Sequence, residues 1–356
     1  MNSEFSNKFI TYFTNILKIN STSISQIVLN YCFEPYLEPS FGDNASAQFK
    51  TRFNKKKINS IIQLKSGLIA FGTSKGDLYT IDSITKNLVH KLKAGIQHPS
   101  GDYYTVSLLC EFSDNMIACG SEYHPNLVIQ NLNNKKYKIL PFDTLKVKGI
   151  MCLNSCVRDQ LMIGFISGII IILNVKTNTL IQSFEEYSPI FALLTFNNKL
   201  IIGQQINSII IKNFNKENED ELKITATHYV RTFIHLPNNL LAVVECLGSR
   251  GSSSEAGDYI GIYNLDTLQC INKIKNIKGC IFKIVFLIDR FIAITAHCKI
   301  MIVDFITCTC IQELEYKNDT VEEHINDIVT LTLLNDNKLI AATSNGVVMF
   351  DIVLKN

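Results

Sequence analysis

Leu68-Ile-Ala-Phe-Gly-Thr-Ser-Lys-Gly-Asp-Leu-Tyr-Thr-Ile-Asp82 decides how the rest of the chain is read. A short apolar run meets a Ser-Lys-Gly turn, and a second apolar run closes on an acid; this is the pattern of two strands joined by a tight turn. Its first phrase recurs as Met116-Ile-Ala-Cys-Gly, Leu161-Met-Ile-Gly-Phe, Leu200-Ile-Ile-Gly-Gln, Leu240-Leu-Ala-Val-Val, Phe291-Ile-Ala-Ile-Thr and Leu339-Ile-Ala-Ala-Thr. The spacings are 48, 45, 39, 40, 51 and 48 residues, a mean of about 45. Seven copies at one period identify a repeat architecture.

Each copy has the same surroundings. An apolar run precedes it, as in Ile58-Asn-Ser-Ile-Ile-Gln-Leu64 or Ile328-Val-Thr-Leu-Thr-Leu-Leu334, and a polar turn such as Lys65-Ser-Gly67, Ser113-Asp-Asn115 or Pro237-Asn-Asn239 lies between. A third run ends in Asp or Asn, and most copies add a fourth, such as Leu180-Ile-Gln-Ser-Phe184 or Cys310-Ile-Gln-Glu-Leu314. Four strands joined by turns at this period form one blade of a β-propeller. Continuous apolar runs such as Ile169 to Leu173 fit strands buried on both faces. The expected fold is all-β, a seven-bladed propeller over residues 45–356 with a short α-helical extension over residues 1–44. The seventh copy reaches Asp351 without a fourth run, and Ala47-Gln-Phe-Lys-Thr-Arg-Phe53 is β-like and unassigned. Residues 46–54 are therefore expected to complete the seventh blade and close the ring, which removes open strand edges.

The stretches Leu68–Asp82 and Leu339–Asp351, with Asn264-Leu-Asp-Thr-Leu-Gln-Cys-Ile271, resemble WD-repeat propellers, and the likeness covers roughly residues 46 to 356. It implies a scaffold that binds other proteins on loops of one face. The chain departs from the family in having no tryptophan, hence no Trp-Asp closure of the third strand, and no Gly-His pair before the first. The family's His–Ser/Thr–Asp–Trp network cannot be assembled, and its binding residues are not carried over.

Composition narrows the function. Of 356 residues 47% are hydrophobic, 50 are isoleucine and 19% are charged, which excludes a largely disordered chain and favours sheet. The formal charge is +2, and there is no basic stripe with interleaved aromatics, so no nucleic-acid partner is expected. The longest apolar stretch, Gly164 to Val175, is too short to span a membrane, so no membrane insertion is expected. The N-terminus lacks a secretory pattern; the expected location is cytoplasmic or nuclear, with a mitochondrial presequence as the lesser alternative. The 11 cysteines form no CxxC and no zinc-ligand spacing, and are read as reduced, small apolar residues. Cys308 and Cys310 would share one face of a strand, and Cys270 and Cys310 hold equivalent places, which favours packing over chemistry.

GxSxG, P-loop, HExxH, GxGxxG and EF-hand patterns are all missing, and the seven histidines lie in different repeats. No catalytic residue, metal or cofactor is expected, and the chain is read as a non-enzymatic protein–protein interaction scaffold, itself monomeric within a hetero-complex. Alternatives are a substrate receptor of a ubiquitin ligase, with the N-terminal helices as adaptor, and a propeller enzyme with an axial site. In WD-type blades the loops between blades and those between the second and third strands emerge on one face. The resemblance therefore places three long irregular segments there: Lys93 to Tyr103, Leu247 to Asp258 and Tyr316 to His324. Loops on a rigid scaffold are the usual place for recognition. The candidate partner-binding residues there are Tyr103, Arg250, Ser252, Ser253, Ser254, Glu322 and Glu323. Before the propeller, Phe5, Phe9, Tyr12 and Phe13 follow helical spacing and form a candidate aromatic face for a protein or peptide.

Overall fold

The computed structural model describes residues 57–98, 100–142, 147–157, 159–214, 221–246, 258–275, 277, 279–296, 299–315, 328–335, 338–343 and 346–351. All of them belong to one compact unit, Asp43–Asp351. The expected N-terminal helices and the closing segment 46–54 lie outside the described residues, among which there is no helix.

The unit is a seven-bladed β-propeller. Seven antiparallel sheets follow one another, each with its strands in chain order; the first six have four strands and the seventh has three among the described residues. The first strand of each blade is innermost: Ile58–Gln63, Leu108–Ser113, Ile150–Ser155, Ile190–Phe196, Tyr229–Leu236, Ile281–Ile288 and Ile328–Leu333. Each touches the first strand of the next blade, and the seventh touches the first, so the ring is closed at its inner wall.

The isoleucine-rich runs fill the spaces between blades. In blade 3, Leu161, Ile163, Phe165, Ile171 and Leu173 join the core shared with blade 2, whereas Met162, Ile170 and Ile172 join the core shared with blade 4. Successive side chains point to opposite faces, and both faces meet a neighbouring sheet, so no polar alternation is left in the strand. Each isoleucine buried this way contributes about 1.5–3 kcal/mol. Fourth strands lie at the rim and are mostly exposed, as in Leu88–Lys93 and Thr179–Glu185.

The Asp or Asn that ends the third run has a structural task. Its side-chain oxygen accepts backbone N–H groups two and three residues on: Asp82 from Ile84 and Thr85, Asn131 from Asn133 and Asn134, Asn174 from Lys176 and Thr177, Asn264 from Asp266 and Thr267, and Asp304 from Ile306 and Thr307. These hydrogen bonds hold the turn into the fourth strand. The Thr85 amide and hydroxyl bound to Asp82 hold its carboxyl below the usual range. Four residues after the acceptor the backbone is left-handed every time: Lys86, Lys135, Asn178, Leu268 and Cys308 have φ between 58° and 61°. Cys308 therefore sits in a turn and shares no strand face with Cys310, which lies in the strand Thr309–Glu315. The hairpins between first and second strands use left-handed Asn pairs, Asn197–Asn198 and Asn238–Asn239, as the polar turns implied.

Candidate functional site

Strands alternate in direction, so the connectors between blades and the turns between second and third strands emerge on one face of the ring. On this face the described residues of the Lys93 to Tyr103 connector fold back on themselves. The backbones of Gln97 and Tyr103 pair as an isolated bridge, His98 N–H donates to Asp102 O at 2.7 Å, and Tyr104 N–H donates to Ile96 O at 2.8 Å, which makes a small hairpin. Its base is tied to blade 1: Ala94 and Gly95 N–H both donate to Gly76 O at 2.9 Å, and Lys93 Nζ lies 2.7 Å from Oδ1 of the buried Asp77. The same ammonium stands 4.6 Å from the centre of the Tyr103 ring. Gly76 has φ +71°, and a side chain there would strike Tyr103 Cβ, so a glycine is needed where hairpin and turn meet. The Tyr104 ring lies between those of His98, at 5.0 Å, and His124, at 4.7 Å. Tyr123, on the blade 2 turn, is 67% exposed.

Blade 5 carries the densest polar network described. Glu245, in the second strand Leu240–Cys246, has 0% exposure, and its carboxylate accepts four donors: Tyr263 OH at 2.5 Å, Tyr259 OH at 2.7 Å, and the N–H groups of Thr227 at 2.6 Å and His228 at 3.1 Å. A buried carboxylate persists only with such a full set of partners. Burial, together with the hydrogen bond to this carboxylate, drives the Tyr259 and Tyr263 hydroxyl pKa values well above the usual phenol range.

Beside it, buried Arg231 reaches Asp258 Oδ2 at 3.4 Å, Ile281 O at 3.0 Å and Tyr229 OH at 3.1 Å. Asp258 Oδ2 also accepts Ile281 N–H at 2.8 Å and Cys246 Sγ–H at 3.2 Å. Cys246 and Asp258 flank the blade 5 insertion, so both its ends are fixed by one ion pair that also reaches blade 6. Burial pushes the Tyr229 hydroxyl up to about 12 and raises the Cys246 thiol further above its ordinary value. In blade 4, Lys212 Nζ lies 2.7 Å from Glu186 Oε1, whose other oxygen accepts Gln204 Nε2–H at 3.0 Å.

The described thiols do not converge. Cys110, Cys119, Cys152 and Cys246 are buried, and desolvation raises each pKa, that of Cys110 to about 12. Cys270 and Cys310 are equivalent as expected but exposed, correcting the packing assignment. Each thiol donates to the carbonyl two residues on, Asn272 O at 3.3 Å and Gln312 O at 3.5 Å. Among the described residues no group of three or more His, Cys, Asp or Glu could hold a metal ion.

Of the candidate residues, Tyr103 is placed on this face; Phe5, Phe9, Tyr12, Phe13, Arg250, Ser252, Ser253, Ser254, Glu322 and Glu323 lie outside the described residues. Arg231, Glu245 and Asp258 belong to no motif. For Arg231 and Glu245 the signal in the sequence is a charge inside an apolar run, Tyr-Val-Arg231-Thr-Phe and Val-Val-Glu245-Cys, since such residues are rarely buried without partners; Asp258, at the end of a polar insertion, carries no such signal. No family model matches the chain, and no curated protein matches it.

Proposed function

We propose that the chain is a divergent WD-like propeller that acts as a non-enzymatic protein–protein interaction scaffold within a larger complex, using the face that carries Tyr103 and the blade 5 insertion. The observation that supports this most is how charge is used there. Glu245, Asp258, Asp77 and Glu186 are buried, and each is engaged in anchoring a connector, a turn or the insertion. Asp77, through Lys93, anchors the hairpin that displays Tyr103, Tyr104 and His98 beside Tyr123, while Glu186, Glu245 and Asp258 fix the connectors and turns of blades 4 and 5. Tyr is enriched where proteins meet, because it brings apolar area and a hydrogen bond at small entropic cost.

Affinity purification tests the reading. The tagged full chain is compared with a variant carrying His98→Ser, Tyr103→Ser and Tyr123→Ser, all at half-buried or exposed positions. The expected result is a defined set of captured proteins that the variant loses while keeping the parent melting temperature. An unchanged set would overturn the use of this face, and capture of no protein above background would overturn the scaffold.

A further inference from the structure

We propose that the outer rim of blades 1 to 3 binds an extended, acidic polypeptide segment with interspersed apolar side chains. Lys91, Lys136 and Lys176 and the exposed aliphatic residues beside them would make the contact. This surface is separate from the loop face above and adds a second place of contact to it.

The apolar part follows from strand register. Fourth strands are hydrogen-bonded along one edge only. In blade 1, Thr80 pairs with His90 and Ile81 with Leu88, so Val89 has no opposite residue. Ile181, Ile271 and Ile311 are skipped in the same way in blades 3, 5 and 6. Bulges of this kind re-aim side chains, and these four are between 44% and 49% exposed. Leu88, Ile139 and Leu180 are exposed on the same strands, and Ile84, in the turn before the blade 1 strand, is 86% exposed. An aliphatic rim is thus a property of the repeat, and it does not by itself choose a partner.

Charge singles out three blades. Residues 83–93, 132–142 and 175–184 form the turns and most of the fourth strands of blades 1 to 3, and they hold seven lysines and no Asp or Glu. Lys93 is answered by Asp77. Lys91, Lys135, Lys136, Lys138 and Lys176 are exposed, and among the described residues none of them forms an ion pair. The corresponding segments of blades 4 and 6 supply acids to their own lysines: Glu221 lies 2.5 Å from Lys212 and Glu313 lies 2.7 Å from Lys299. The basic stretches belong to three repeats, so no continuous run marks them in the sequence, and the ring brings them side by side. Lys138 Nζ donates to Asn178 Oδ1 at 3.0 Å, from blade 2 to blade 3. Between blades 1 and 2 the His90 ring feels the Lys135 ammonium, which adds to burial in lowering its pKa.

Unpaired ammonium groups among aliphatic side chains complement carboxylates among aliphatic side chains. Nucleic-acid bases would call for aromatic or arginine platforms, and these stretches hold no arginine and one exposed aromatic side chain, Tyr137. Seven blades close the ring, so each rim is turned by one-seventh of a circle from the next. A flat lipid surface that meets blade 2 is therefore turned away from blades 1 and 3, whereas an extended chain follows the curve.

The full chain is titrated at low ionic strength with a fluorescein-labelled peptide of alternating glutamate and leucine, followed by anisotropy. A length of about 15 residues, roughly 50 Å when extended, lets it cross three rims. Binding is expected. Lys91→Gln, Lys136→Gln and Lys176→Gln should each weaken it by about twofold, and together by about tenfold. Lys199→Gln, Lys223→Gln and Lys275→Gln together remove the same charge from exposed positions of blades 4 and 5 and should leave it unchanged. No binding by the parent chain, or equal losses in the two triple variants, would overturn the surface; a loss confined to one of the three single variants would overturn the path across three blades. A peptide with serine in place of leucine should bind more weakly, and equal binding would remove the aliphatic rim from the site. Tighter binding to phosphatidylcholine–phosphatidylserine vesicles or to oligouridylate, lost in the first triple variant, would overturn the peptide in favour of lipid or RNA. Self-association of the parent chain, lost in the same variant, would make a second copy the occupant. The capture experiment above alters only the loop face, so the two surfaces fail independently.

Discussion

The Tyr263 hydroxyl donates to Glu245 Oε1 across 2.5 Å in the interior of blade 5, where both side chains are buried. Three more donors converge on the same carboxylate, from Tyr259, Thr227 and His228. Two of them are backbone groups of the connector from blade 4, so the acid joins two blades. Replacing Glu245 by Ala leaves buried donors unanswered, each costing about 1–3 kcal/mol. Tyr263→Phe removes one donor and leaves the acid three. Urea denaturation should therefore show a loss of roughly 3 kcal/mol or more for Glu245→Ala and about 1–2 kcal/mol for Tyr263→Phe. Equal and small losses would show that the network is not a structural unit.

The turns into the fourth strands offer a second test. Lys135 is exposed and held at φ 58°, four residues after the Asn131 acceptor. A side chain with Cβ costs about 1–2 kcal/mol in this region, against about 0.5–1 kcal/mol for the extra unfolded-state entropy of glycine. Lys135→Gly should therefore raise stability by about 0.5 kcal/mol. Asn131→Ala, which removes the acceptor for two amides, should lower it by about 1 kcal/mol. Opposite signs from two residues of one turn would separate backbone strain from side-chain bonding; two losses would discount the strain.

These turns also show what the chain makes legible. The Asp or Asn at the end of each third run is a visible residue type at a fixed place, so its strand and turn could be read directly. The left-handed position four residues later is filled by Lys, Asn, Leu or Cys, and no residue preference announces it. Cys308, two residues before Cys310, reads as a strand residue for that reason. The repeat made the blades plain because burial on both faces leaves an unmistakable apolar run. The site was less legible: Arg231, in the first strand of blade 5, meets Asp258 only because the blade folds the far end of its insertion back beside that strand, and no spacing in the sequence records that meeting. Tyr103 is legible because it sits in a long connector, a feature of length rather than chemistry.

His235 gives the fold an acid limit. Its ring stacks on Phe196 at 3.8 Å and 26°, and burial lowers its pKa from the ordinary 6.5. His90, bonded to Thr80 Oγ1 at 2.8 Å, is lowered for the same reason. The unfolded chain takes up protons at these residues at a pH where the folded chain does not. Their contribution is therefore present above pH 6.5 and is lost as pH falls through the folded-state values. His235→Phe keeps a ring against Phe196 and removes the titration. Its stability should decline less steeply than the parent's below pH 6.5, measured by denaturation across a pH series. Parallel slopes would exclude His235 as a source of the acid limb.

The seam between blades 1 and 7 is where the two ends of the repeat meet. Ile58, Ile61, Phe71 and Tyr79 on one side pack with Ile340, Ala342, Val347 and Met349 on the other, and Asn335 N–H donates to Gln63 Oε1 at 2.8 Å. Every other seam is covalently continuous through a connector, whereas this one is held by contacts between segments far apart in the chain. Phe71, with 0% exposure, should cost about 3–5 kcal/mol when cut to Ala. Deleting residues 45–54, which lie outside the described residues, tests whether a fourth strand adds to the seam. At about 2–4 °C per kcal/mol, the expected loss of a strand's contacts lowers the melting temperature by roughly 5 °C or more. An unchanged melting curve would mean that the aliphatic seam and the Gln63–Asn335 bond close the ring unaided.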